Sequence, residues 1–141
     1  MRVIFIIFSF AVFLFTGCGS GSNNSDSGSV NYLTDTGKAV LVFKEYEHSF
    51  GNVEEGQKIA YIFNFENRGT GNLVIQNAIT SCGCTVPKYD KKPIAPGKSG
   101  KLEVVFDTSG RSGPQSKTIT VQSNATVPVI ILRITAMVIS D

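Results

Sequence analysis

The strongest constraint on the fold is the alternation of apolar and polar residues over residues 38–141, a region that nowhere sustains the 3.6-residue period of a helix. Over Ile59–Phe65, four apolar side chains are spaced two apart, whereas Asn64 and Glu66 fall on the opposite face. Because successive side chains of a β-strand point to opposite faces, this spacing predicts a half-buried strand. We therefore expect Phe63 to lie in the core.

Turn-forming sequences separate this strand from others of the same kind. The segments NRGTGN (67–72), SGRSGP (109–114) and SNA (123–125) are rich in the residues that favour turns. The predicted strands are Val40–Phe43, Ile59–Phe65, Leu73–Ile79, a short strand near Tyr89, Leu102–Phe106, Ile119–Val121 and Val127–Ile139. About seven short strands in roughly a hundred residues predict an all-β, immunoglobulin-like β-sandwich.

The N-terminus has the pattern of a bacterial lipoprotein signal peptide. Arg2 precedes an apolar run over residues 3–15, and the sequence TGC then ends at Cys18. A positive start, a short apolar run and a small residue before the cleavage site are typical of secretory signals. The run is shorter than the roughly 20 residues that a membrane-spanning helix needs. Because LFTGC resembles a lipobox, we expect cleavage after residue 17 and acylation of Cys18.

These patterns predict three segments. Residues 1–17 form the signal peptide, residues 18–37 the lipidated Cys18 and a flexible tether, and residues 38–141 the sandwich domain. The tether is rich in Gly, Ser, Asn and Asp, and such a composition cannot bury enough apolar surface to offset its ordering entropy. We therefore expect a lipid-anchored protein of the bacterial cell envelope, on the outer membrane rather than the inner membrane.

The charge balance bears on the class of partner. The sequence has 13 Lys and Arg residues against 11 Asp and Glu residues, and the loss of Arg2 with the signal leaves 12 against 11. This near balance argues against a nucleic-acid partner, which would require a basic face. The expected partners are the membrane, through the lipid, and a protein or a glycan.

The sequence also argues against an enzyme. Nucleophilic catalysis needs a base beside a hydroxyl or thiol, oriented by a third group. His48 is the only imidazole, and Ser49 beside it would point to the opposite face of a strand. No Gly-rich phosphate loop precedes a helical pattern. We expect no catalytic residues and no cofactor, and we interpret His48 as a structural residue.

The sequence TSCGCTVP places Cys82 and Cys84 on either side of Gly83. A turn at Gly83, which tolerates positive φ, would bring the two cysteines within disulfide distance and close a very small ring. Two thiolates on one face would also suit Cu(I), or Zn(II) with His48 as a further ligand. Three interpretations stay open: a structural pair with or without a disulfide, a redox pair, and a metal site.

A series of short motifs runs from about Phe43 to Val138: His48-Ser49-Phe50-Gly51, Glu55-Gly56, Asn67 with Gly69, Ser81-Cys82-Gly83-Cys84-Thr85, Pro87, Pro96-Gly97 and Ser123-Asn124. In combination they resemble the family of domains of unknown function DUF1573, which consists of secreted or lipid-anchored bacterial proteins with a Cys-Gly-Cys motif. The resemblance implies a sandwich of the ASPM/SPD-2/Hydin or sperm-protein type and brings no established activity.

Two functional hypotheses follow. The first is a non-enzymatic cell-envelope lipoprotein that presents an immunoglobulin-like binding or structural module. The alternative is a thiol redox or copper-handling module that uses Cys82 and Cys84.

Overall fold

A computed structural model describes residues 37–140, which form eight β-strands. The signal peptide over residues 1–17, Cys18 and the tether up to residue 36 lie outside the described residues. The strands are β1 (Leu41–Phe43), β2 (Glu47–Glu54), β3 (Lys58–Asn67), β4 (Ile75–Thr80), β5 (Thr85–Tyr89), β6 (Ser99–Asp107), β7 (Gly113–Ser123) and β8 (Val129–Ile139). Among residues 37–140, no helix has the length and apolar composition needed to cross a membrane.

The strands form two four-stranded sheets. The first sheet has the order β1-β3-β6-β5, and the second sheet has the order β2-β8-β7-β4. All strand pairs are antiparallel except β2 and β8, which run parallel. The expectation of an all-β, immunoglobulin-like sandwich is confirmed, with eight strands in the described chain where about seven were predicted.

The core lies between the two sheets and is built from the alternating positions of the long strands. Phe63 and Phe65 of β3 are almost completely buried, whereas Asn64 and Glu66 on the opposite face are only partly buried. The same alternation buries the following residues of β6, β7 and β8: Leu102, Val104, Phe106, Ile119, Val121, Leu132 and Ile134. The face predicted for β3 is therefore correct, and the strands predicted over Leu102–Phe106 and Ile119–Val121 lie within β6 and β7.

Strand β2 was absent from the predicted set, and its burial pattern explains why. Of its eight residues only Val53 is buried, because β2 lies at the edge of the second sheet. The pairing of β2 with β8 is also interrupted between Ser49 and Asn52, where Gly51 has a φ of 69°. A strand at an edge with an irregular register shows no sustained period of two.

The strand predicted over Leu73–Ile79 does not keep one apolar face along its whole length. Leu73 and Ile75 are buried, but Ile79 is 49% exposed. The register between β4 and β7 shifts between Ile75 and Asn77. Because one extra residue in a strand reverses the faces beyond it, this β-bulge turns Ile79 to the outside of the second sheet.

A buried amide organises the loop after β3. Asn67 is 0% exposed, its Nδ2 donates hydrogen bonds to the carbonyl groups of Gly71 and Ile94 at 2.8 Å, and its Oδ1 accepts from the N–H groups of Val40 and Gly69. A Cβ on Gly69 would lie only 2.1 Å from the Lys38 carbonyl oxygen, so this position excludes a side chain. These contacts give a structural reason for the Asn67 and Gly69 motif.

Candidate functional site

The Cys-Gly-Cys turn connects the two sheets. It lies between β4 of the second sheet and β5 of the first, and the sulfur atoms of Cys82 and Cys84 form a disulfide with the Cα atoms 5.4 Å apart. The hydroxyl of Thr80 lies 2.8 Å from the Cys82 carbonyl oxygen and 2.9 Å from that of Thr85, so it can donate to either. These contacts hold the turn against the end of β4.

The disulfide adds little to the stability of the sandwich. It closes a loop of only three residues, Cys82, Gly83 and Cys84. In the chain-entropy relation, a loop of this length contributes about 1.6 kcal/mol, compared with about 3 kcal/mol for a loop of 15 residues. The two sheets are held mainly by their apolar core, and the turn is a local feature.

A groove of about 400 Å³ opens beside the disulfide on the outer side of the first sheet. The lining residues are Lys58, Gly83, Cys84, Val86, Val105, Asp107, Ser109 and Arg111. The Asp107 N–H donates to the Cys84 carbonyl at 2.9 Å, and Asp107 pairs with Lys58 across β6 and β3. Cys84, Asp107 and Lys58 therefore form one row across three neighbouring segments of chain.

The groove carries two cations and one carboxylate. Lys58 Nζ lies 3.6 Å from Asp107 Oδ2. Hydrogen bonds from Ser109 are the main cause of a lowered pKa of the Asp107 carboxyl, to which Lys58 also contributes. Arg111 differs from Lys58, because its Nε is buried and has no hydrogen-bond partner within residues 37–140. The two cations and one carboxylate give the groove a net charge of one positive unit.

The hydroxyl of Thr85 lies beneath the disulfide. Thr85 is only 3% exposed, and its Oγ1 lies 3.6 Å from Cys82 Sγ and 3.9 Å from Cys84 Sγ. Within residues 37–140, this hydroxyl has hydrogen-bonding contacts only with these two sulfur atoms. A buried hydroxyl normally has a better acceptor than a disulfide sulfur.

His48 occupies a different part of the domain. Its ring stacks on that of Tyr61 with centroids 3.4 Å apart and meets the edge of Phe50 at 4.9 Å. The Tyr61 hydroxyl donates to Glu45, and this hydrogen bond, with burial, raises the pKa of Tyr61. These contacts make His48 part of an aromatic cluster between β2 and β3.

The structure does not bring His48 to the cysteine pair. Strand β2, which carries His48, and strand β4, which leads into Cys82, are the opposite edges of the second sheet. Three strand spacings separate them, or roughly 14 Å. The described residues contain no group of three or more His, Cys, Asp or Glu side chains that could hold a metal ion.

The outer side of the second sheet carries exposed aliphatic side chains. Ile79 of β4 and Ile131 of β8 both lie opposite Thr120 of β7, and Val129 is two residues before Ile131. We call Ile79, Val129 and Ile131 the outer apolar face; they are 49%, 46% and 58% exposed. Ile79 could not be assigned to this face from the sequence, because its outward orientation depends on the bulge in β4.

The outer apolar face adjoins an edge that β2 does not cover. Pairing between β2 and β8 begins at Glu47 and Arg133, so the first residues of β8 extend beyond it. The Arg133 N–H donates to the Tyr46 carbonyl. Because N–H and C=O groups point to alternate sides along a strand, the backbone groups of Ile131 point to the same side as those of Arg133, where β2 is no longer present.

The family model described as "Protein of unknown function (DUF1573)" matches residues 41–138. This match confirms the resemblance found in the sequence motifs. The chain has no significant match among curated proteins.

Solved structures show the same fold at low sequence identity. A protein of unknown function from Porphyromonas gingivalis W83 is 19% identical with a TM-score of 0.64, and the match covers 77% of this chain and 51% of that protein. The VesB protease of Vibrio cholerae is 14% identical with a TM-score of 0.57, over 71% of this chain and 32% of VesB. This chain therefore spans about half of the first protein and about a third of the second.

A third structure corresponds in size to a single domain. The ASH / PapD-like domain of human CEP192 is 10% identical with a TM-score of 0.56, and the match covers 72% of this chain and 86% of that domain. At these identities the likeness shows the fold alone. It agrees with the sandwich type that the sequence resemblance implied.

Proposed function

This chain belongs to the DUF1573 family of proteins of unknown function, and we propose that it is a non-enzymatic, lipid-anchored protein of the bacterial cell envelope whose sandwich domain binds another protein. The observation that carries the proposal is the outer apolar face beside the edge of β8 that no strand of residues 37–140 covers. A cluster of exposed apolar side chains is typical of a binding surface, whereas single exposed apolar residues are common on any protein.

The partner that fits this surface is an extended protein segment. An uncovered strand edge can form main-chain hydrogen bonds with an added strand, and the apolar side chains beside it then select residues of the partner. Ile131 supplies both features, since its backbone groups point to the edge and its side chain is 58% exposed. The face consists of aliphatic residues with Thr120 and Gln122 between them, which suits apolar side chains of a protein rather than a glycan.

Two lysine substitutions test the surface. Ile131→Lys places a charge on the outer apolar face, and we expect it to lower recovery of the bound protein at least tenfold. Met137→Lys is the matched control, because Met137 is also exposed on the outer side of β8 but lies where β2 and β7 both pair with the strand. The measurement is quantitative mass spectrometry after crosslinking and purification from membranes. Equal effects of the two variants would contradict the proposed surface.

The anchoring part of the proposal rests on Cys18. Because Cys18 follows the apolar run directly, Cys18→Ala should abolish lipid attachment and leave the signal peptide uncleaved. Labelling of cells with a radioactive fatty acid measures this, and Cys82→Ser is the control that should keep the label. A labelled Cys18→Ala protein would refute the anchor, and fractionation of the labelled membranes would test the proposed outer-membrane location.

A further inference from the structure

The groove on the first sheet reaches one of the two cysteines of the disulfide. Cys84 lines the groove on the first sheet, whereas Cys82 is not among the lining residues. Both cysteines are partly exposed, and Gly83 between them leaves open space where a Cβ would stand. The groove therefore leads to Cys84 rather than to Cys82.

We propose that the Cys82–Cys84 disulfide exchanges with a dithiol that carries a carboxylate near its reactive sulfur, and that the groove of Lys58 and Arg111 selects this molecule. The proposal goes beyond the binding function above, and it concerns the opposite sheet. The exchange is stoichiometric: each domain takes up two electrons once, and another oxidant must restore the disulfide for a second reaction.

The reaction has two steps. A thiolate of the dithiol attacks Cys84 Sγ, a bond forms between these sulfur atoms, and the Cys82–Cys84 bond breaks with its electron pair on Cys82 Sγ. The second thiol of the same molecule gives its proton to Cys82 and attacks the first sulfur, so that Cys84 leaves as a thiolate and takes a proton from water. The dithiol becomes a disulfide and the domain holds two thiols.

Thr85 favours the first step. When Cys82 leaves as a thiolate, it becomes a strong acceptor, and the Thr85 hydroxyl is 3.6 Å away in the present disulfide. This buried hydroxyl has only the two weakly accepting sulfur atoms as hydrogen-bonding contacts in the described structure. A thiolate would supply the acceptor that the hydroxyl lacks, and hydrogen bonds to charged groups are stronger than those to neutral groups.

The cations of the groove define the chemical class of the dithiol. Lys58 is paired with Asp107, but the buried Nε of Arg111 has no partner among residues 37–140. A carboxylate in the groove would interact with the positive charge of Arg111, while Val86 and Val105 offer an apolar wall to the carbon chain of the ligand. The positive charge also attracts the attacking thiolate and stabilises the thiolates that form.

The first experiment measures the charge preference of the exchange. The full chain is incubated with 3-mercaptopropionate (an anionic thiol) or cysteamine (a cationic thiol) at low ionic strength, and alkylation of Cys82 and Cys84 is followed by mass spectrometry. Each exchange rate is divided by the thiolate concentration of its thiol, and the rate with 3-mercaptopropionate is then divided by the rate with cysteamine. We expect this ratio to fall about threefold in Lys58→Gln and in Arg111→Gln. Lys101→Gln, with the same charge change on an exposed residue of β6 outside this groove, should leave the ratio unchanged.

The second experiment tests Thr85. We expect Thr85→Val to slow exchange about tenfold, the effect of losing one hydrogen bond to a charged group, and Thr85→Ser to restore the rate. The denaturation midpoint of the oxidised Thr85→Val chain should not fall, because the hydroxyl has only sulfur contacts to lose. A disulfide that is reduced only when the chain is unfolded, or a rate ratio that Arg111→Gln and Lys58→Gln leave unchanged, would overturn the proposal. So would a Thr85→Val chain that loses stability while its exchange rate stays the same.

Discussion

Replacement of Phe63 by alanine should lower the free energy of unfolding by about 3–5 kcal/mol. Phe63 is 0% exposed in the centre of β3, and its ring meets that of Tyr61 edge to face at a centroid distance of 5.1 Å. The substitution removes a large apolar contact and leaves a cavity between the sheets. Domains of this size are stable by only about 5–15 kcal/mol, so urea denaturation should show a much lower midpoint.

The neighbouring residue on β3 is the matched control for Phe63. Ile62 is 42% exposed on the outer side of the first sheet, and Ile62→Ala should change the stability by about 0.5 kcal/mol or less. If Phe63→Ala fails to fold, Phe63→Leu retains part of the contact and should give a measurable, smaller loss. An Ile62→Ala chain that is destabilised as strongly as Phe63→Ala would mean that the faces of β3 are assigned the wrong way round.

Substitution of Asn67 by aspartate should have the second largest effect, about 3 kcal/mol, although it preserves the size of the side chain. The amide of Asn67 donates to the carbonyl groups of Gly71 and Ile94, and an ionised carboxylate can donate to neither. The variant loses these hydrogen bonds and places a negative charge against buried carbonyl oxygens. Urea denaturation at neutral pH measures the loss.

Asn64→Asp is the control for this change. Asn64 lies on the same strand, but it faces outward, and its amide makes a hydrogen bond with the Ile62 carbonyl at 3.3 Å. We expect this variant to differ from the parent by no more than about 0.5 kcal/mol, as is usual for surface positions. If Asn67→Asp were as stable as Asn64→Asp, the buried amide would not hold the loop after β3.

The parts of the fold that the sequence predicted correctly share one physical property. Strands β3, β6 and β7 have one face in the core and one outside, so their side chains alternate strictly. Ile59–Phe65 shows this directly, and the burial of Phe63 followed from it. Together with the buried residues of the other strands, the buried residues of β3, β6 and β7 form a core that contains no Trp.

The features of the fold that were not predicted depend on positions where the alternation of apolar and polar residues is interrupted. The bulge after Ile75 exposes Ile79, and the interruption near Gly51 conceals β2. The hydrophobicity of the individual residues indicates neither of these two irregularities. The Gly in HSFG is a cue for β2, because glycine within a strand pattern is typical of a bulge.

The groove beside the disulfide was even less predictable. Cys84 was identified as a site residue, but Lys58, Thr85 and Arg111 were not. Lys58 is 26 positions from Cys84 in the sequence and joins its row only through the register of β3 and β6. Arg111 lies in a turn rich in Ser and Gly, where a charged residue is expected to be solvated. A tertiary arrangement of this kind has no local sequence pattern.

Site-specific photocrosslinking at position 131 tests the central claim most directly. A photoreactive amino acid replaces Ile131 in the full chain, and in a second strain it replaces Met137, so that both probes lie on the outer side of β8 about 20 Å apart. After irradiation of intact cells, we predict a discrete adduct with one other protein from position 131 and none of that size from position 137. No protein adduct at position 131, or the same adduct from both positions, would contradict the proposal that the uncovered edge of β8 binds a protein partner.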